Sequence, residues 1–185
     1  SEAEEVLKEI KKLADELRKK NRESVEKVRE SSKRLKDEIR KVLEDIKRLA
    51  EKLREILREM KDKDTIRKTI EDITEKLKEL LDRLRERIEK AKRDHERLVE
   101  RNRRENDKIR KDLERLLEEL RKRGVDEKLL RELEKLIRDI KRELDRSDEK
   151  LEELVRRSAK ELDDLLDTLR EIIERIKRDL DEKLR

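Results

Sequence analysis

Residues 120–133 read LRKRGVDEKLLREL, and this stretch decides the fold. Up to Leu120 the chain follows helical spacing, with Leu113, Leu116 and Leu120 three or four residues apart. Arg121, Lys122 and Arg123 then place positive charge where the exposed carbonyls of a helix C-terminus favour it. Gly124 is the sole glycine, and glycine alone enters the left-handed conformation that ends a helix without steric cost. Val125 supplies the accompanying apolar contact, Asp126 caps a following helix, and Leu130 and Leu133 restart the helical spacing. The stretch is therefore a helix, a tight turn and a second helix. So short a connection makes the two neighbours antiparallel.

A second break lies upstream, at Lys61-Asp62-Lys63-Asp64-Thr65, where apolar spacing stops among turn-forming residues. Asp64 or Thr65 is expected to cap the helix that follows, and Ser1 with Glu4 fits a capping box at the start of the chain. Three helices result, at about 2–61, 65–123 and 126–184. The first carries a stripe from Ala3 to Met60 that includes Leu35, Ile39, Val42, Ile46, Leu49, Leu53 and Ile56. Its steps average about 3.6 residues, between the coiled-coil and straight-helix values. The second and third stripes, Ile66 to Leu120 and Leu130 to Leu184, have the same period. Additional apolar residues beside them, such as Leu43, Leu81 and Leu166, widen each stripe into a bundle-packing face. The expected fold is all-α: one long up-down-up three-helix bundle, coiled-coil-like, forming a single domain over 1–185, because no linker divides any helix.

Composition supports helices and excludes much chemistry. Charged residues make up 61% of the chain, aromatic residues and proline are absent, and the periodic Leu, Ile, Val and Ala separate this pattern from disorder. Without cysteine there is no thiolate nucleophile, thiolate metal site or disulfide. Apolar runs never exceed three residues, so neither a membrane span nor a targeting signal is expected, and the chain is read as soluble. The net charge of +5 comes from 59 basic and 54 acidic residues finely mixed, which bears on solubility more than on a partner.

The informative departures are polar residues inside the apolar stripes: Asn21, Ser24, Ser31 and Ser32, then His95, Asn102 and Asn106, then Ser147 and Ser158. If the loops set the register, residues of helices one and two are level when their numbers add to about 126, and those of helices two and three at about 250. Asn21 and Ser24 then face Asn106 and Asn102, with Ser147 near both. Ser31 and Ser32 face His95, with Ser158 beside it. A buried polar group without a partner costs about 1–3 kcal/mol, so polar residues at matched heights point to two hydrogen-bonded layers. Such layers disfavour slipped or reversed packings.

These residues carry a resemblance. A chain of Glu, Asp, Lys and Arg surfaces, Leu and Ile cores, and layered Asn, Ser and His resembles de novo designed helical bundles with buried hydrogen-bond networks. The resemblance covers the whole chain in style rather than through a motif. It implies a structural scaffold with no natural substrate. Spectrin-like three-helix repeats are similar in outline but shorter, and they rely on buried aromatic residues.

Functional readings compete with the structural one. One His without Cys is too few ligands for a usual zinc site, so no metal and no cofactor is expected. Ser31, Ser32 and His95 are the residue types of a nucleophile and base, but a bundle centre has neither a cleft nor oxyanion donors, so no catalytic residue is assigned. Asp163-Asp164 and Asp181-Glu182 are adjacent pairs that diverge around a helix. Residues 83–111 hold thirteen basic and seven acidic side chains with no aromatic for base stacking, so no nucleic-acid partner is expected. Without Trp or Phe anchors, no membrane partner is expected either. What remains is a monomeric scaffold that requires no partner. The alternative is an interaction module that self-associates into a homo-oligomer or pairs with a partner helix, using flank residues such as Leu43, Leu81 or Leu166.

Overall fold

The computed structural model describes residues 2–184, all but a few of them helical. The three helices are α1 (Glu2–Glu59), α2 (Lys63–Lys122) and α3 (Glu127–Glu182). The capping box proposed at Ser1 falls outside the described residues.

Each break follows from local chemistry. At the first, α2 begins at Lys63, two residues before the expected start, because Asp62 is the cap rather than Asp64 or Thr65. Its Oδ1 accepts a hydrogen bond from the Asp64 backbone N–H (3.2 Å) and its Oδ2 one from the Thr65 hydroxyl (2.8 Å). The Asp62 carbonyl accepts the Ile66 N–H at 3.1 Å, the first bond of the helix. At the second break Gly124 has φ of +71°, as a helix-ending residue requires. The Asp126 carbonyl accepts the Leu130 N–H at 2.9 Å, so Asp126 caps α3. Val125 packs on the core beside the turn.

The described residues gather into two compact units, each built from parts of all three helices. The first comprises the chain up to Arg29 with Asp94–Arg156, the second Glu30–Arg93 with the chain from Arg157. In the first unit, Ile10, Ala14, Leu17, Leu113, Leu133, Ile137 and their neighbours form one apolar cluster, and Val28, Leu151 and Val155 form a smaller one. In the second, a single cluster extends from Leu35 to Leu57 on α1, Ile66 to Ile88 on α2 and Leu162 to Leu180 on α3.

Ion pairs report helix direction within each unit. In the second, Lys36 pairs with Glu161 and Arg54 with Asp179, both 125 residues apart, so α1 and α3 run parallel. In the first, Arg103–Glu152, Arg110–Asp145, Lys141–Glu114 and Arg121–Glu134 join α2 to α3. All four pairs have residue numbers that add to 255, which makes these helices antiparallel. Helix side chains lean toward their own N-terminus, so paired long side chains are rooted past each other and their numbers add to more than the level value of about 250. Most of these pairs are exposed, and such pairs contribute about 0–1 kcal/mol each. They trace the register more than they hold it.

The structure is thus a three-helix fold with the stripes turned inward. Among the described residues, no helix is long and apolar enough to cross a membrane.

Candidate functional site

The polar residues inside the stripes are the chemically distinctive feature of the interior. Ser32, His95, Asn102, Asn106 and Ser158 are buried. Asn21, Ser24, Ser31 and Ser147 are half-buried.

In the first unit, two amides of α2 converge on one carboxylate of α3. Asn106 Nδ2 donates to Asp148 Oδ1 at 2.6 Å, and Asn102 Nδ2 donates to the same oxygen at 3.4 Å. Asp148 Oδ2 accepts from Arg110 at 2.8 Å. Arg110 also reaches Asp107 (2.6 Å) and Asp145 (2.7 Å). Asn102, Asn106 and Arg110 are four residues apart and share one face of α2, which is why all three reach a single group. Side-chain exposure is 14% for Asp148 and 19% for Arg110, low enough that the pair interacts under weak solvent screening. Burial works against the Arg110 charge, but the hydrogen bond and proximity to Asp148, with help from Asp145 and Asp107, hold its pKa above the usual arginine value.

Asp148 and Arg110 were not among the polar residues singled out from sequence. Charged residues in a chain this highly charged read as surface. A signal was nevertheless present: the register that sets Asn102 and Asn106 near Ser147 sets them equally near Asp148.

The remaining residues are placed as follows. In the second unit the Ser32 and Ser158 hydroxyls share a hydrogen bond, in which either can donate. Ser31 lies in the same unit and His95 in the first. The His95 ring is buried and its Nε2 has no hydrogen-bond partner. Burial lowers the His95 pKa, against the opposing pull of Asp94, so the neutral ring is favoured. Asn21 Oδ1 is buried and unpartnered, at the edge of a small cleft shared with Ala14, Leu17, Arg18, Ile140, Glu143 and Leu144. Ser24, Ser31 and Ser147 make no side-chain hydrogen bond among the described residues. No group of three or more His, Cys, Asp or Glu among those residues is placed to hold a metal ion.

Two apolar expectations are corrected. Leu49 and Ile56 belong to the α1 stripe by spacing, yet they are 47% and 49% exposed. Leu81 and Leu166 are buried in the second unit's core and Leu43 packs against it, in keeping with a widened bundle-packing face, so they do not offer the surface that the alternative interaction-module reading assigned to them. A stripe with three- and four-residue steps drifts around the helix, so its outermost members pass beyond the neighbouring helices.

The fold and this interior define a three-helix bundle held by an apolar core with a few internal polar groups. No protein-family model matches the chain, and no curated protein does. Among solved structures it is similar to one described as a computationally designed three-helix bundle, with a TM-score of 0.56. The two share 23% sequence identity over 99% of this chain and 89% of that one.

Proposed function

We propose that the chain is a designed structural scaffold with no catalytic, cofactor-binding or natural ligand-binding role, and that its buried polar side chains specify helix pairing and register. The observation that carries this reading is the convergence of Asn102 and Asn106 on Asp148, with Arg110 on its other oxygen, inside a bundle filled mostly by Leu, Ile, Val and Ala. A buried carboxylate is costly unless paired, so a packing that separated these groups would be disfavoured. The Ser32–Ser158 contact has the same role between α1 and α3. Asn21, Ser24, Ser31, His95 and Ser147 belong to the same polar set, and the chain acts as one domain because each helix is continuous. Likeness to a designed bundle supports the scaffold reading through fold alone.

A second reading, an interaction module that self-associates or pairs with a partner helix, is favoured by one observation: the exposure of Leu49 and Ile56 on α1. Light scattering on the intact chain over a wide concentration range separates the two. A constant mass of 22.8 kDa supports the self-contained scaffold. A mass that rises to a multiple of it supports the module.

A further inference from the structure

In the first unit three carboxylates close around one guanidinium. Arg110 Nη1 donates to Asp107 Oδ1 at 2.6 Å, and Nη2 donates to both Asp145 Oδ1 (2.7 Å) and Asp148 Oδ2 (2.8 Å). Asp107 lies one turn before Arg110 on α2, and Asp145 and Asp148 lie one turn apart on α3, so the group joins two helices. Its floor is the half-buried Asp148, whose other oxygen accepts from the Asn102 and Asn106 amides. Its rim is the exposed pair Asp107 and Asp145.

The arrangement discriminates by shape as well as by charge. Two separate nitrogens of the flat guanidinium fork share the three carboxylates. Among the described residues, no three carboxylates, these included, are placed to hold a metal ion, so a spherical cation finds no common point here. A lysine ammonium is likewise a single point of charge. The buried Nε of Arg110 has no partner, so recognition falls on the terminal fork rather than on the stem. With the guanidinium removed, three negative groups would be left together, and each would make ionisation of the others costlier.

We propose that Asp107, Asp145 and Asp148 form a receptor selective for a planar guanidinium, filled from within the chain by Arg110 and open to a small alkylguanidinium once that side chain is cut back. The group seated there in the folded chain identifies the ligand class. This goes beyond the register reading, since such a receptor binds whether or not it sets register. The scaffold reading is unaffected, because the intact chain already fills the site.

The test titrates full-length R110A with ethylguanidinium, which restores the atoms that truncation removes beyond Cβ. Ethylammonium and sodium chloride at matched ionic strength are the controls, and thermal unfolding by circular dichroism is the readout. Ethylguanidinium should raise the R110A midpoint saturably, by about 3 °C or more relative to the parent chain at the same concentrations, because a ligand of the folded state stabilises it. If R110A is unfolded by itself, the return of helical ellipticity on adding ethylguanidinium is the same expected result. Ethylammonium should give less than half the effect, and R110A/D148N should lose it. R110K keeps the charge but should unfold at a lower temperature than the parent. Equal effects of the two cations, a shift as large in the parent as in R110A, or a shift that survives D148N overturns the receptor. So does R110K unfolding at the parent's temperature, and so does the absence of any shift.

Discussion

The two units use the same helices and the same ion-pair spacing between α1 and α3, yet their interiors differ. Arg18–Glu143 in the first and Lys36–Glu161 in the second are both 125 residues apart. The second unit has one apolar cluster that runs through all three helices. In the first, the apolar residues form two clusters, and Asn102, Asn106 and Asp148 meet one another there as polar groups. Leucine and isoleucine repeating every three or four residues pack almost equally well after a shift of one heptad. Two amides aimed at one carboxylate do not. The contrast frames the division of labour proposed above: apolar burial stabilises both units, and in the proposed reading polar pairing selects among packings.

The largest expected effect tests the apolar side of this contrast. Leu169, fully buried in the second unit, leaves a cavity as L169A, and denaturant unfolding should show a loss of about 3–5 kcal/mol. A loss below about 1 kcal/mol would mean that this core is loosely packed.

In the first unit, D148A removes the acceptor shared by Asn102 and Asn106 and one of the three carboxylates that the half-buried Arg110 guanidinium reaches. The expected loss is about 2–4 kcal/mol, with D148N recovering part of it by offering one amide oxygen. An effect indistinguishable from that of an exposed-residue control would remove Asp148 from the specifying group.

A turn-level change is smaller. Gly124 has open space where a side chain would sit, so G124A is opposed only by its positive φ and should cost about 1 kcal/mol. Thermal unfolding that matches the parent would show that the turn tolerates another conformation.

Smallest is the pH response of His95. Its pKa is lowered in the folded chain, so the unfolded chain takes up the proton first as pH falls. The stability His95 contributes is full above the unfolded value of about 6.5 and declines as pH drops through the folded one. Glu143 and Glu114 are held below the usual carboxylate range by Arg18 and Lys141, so their contributions fade only in more acidic solution. H95L should flatten unfolding free energy just below neutrality, and an unchanged slope there would show that the ring titrates freely.

Much of this was legible in the sequence, and the gaps have physical causes. Helix number, both turns and the Gly124–Asp126 chemistry follow from spacing and caps. Asp62, Asp64 and Thr65 are all competent caps, and only the path of the turn selects Asp62. Arg110 and Asp148 stayed hidden because apolar periodicity marks which positions face inward but not how far a long charged side chain at the stripe's edge can reach. Leu49 and Ile56 look like core from spacing, since a stripe shows its period but not the width its neighbours cover.

The central claim, that polar pairing sets register in the first unit, is tested most directly by a distance. The chain has no cysteine, so spin labels at K111C and R142C, exposed positions on α2 and α3, report one separation without background. The parent should give a single narrow distance. Adding N102L, N106L and D148L should retain helicity but broaden that distance or add a second one, as expected if one helix slips along the other by a heptad, about 10 Å along the axis. The same single narrow distance in the all-leucine variant would contradict the claim, leaving turns and apolar packing to set the register alone.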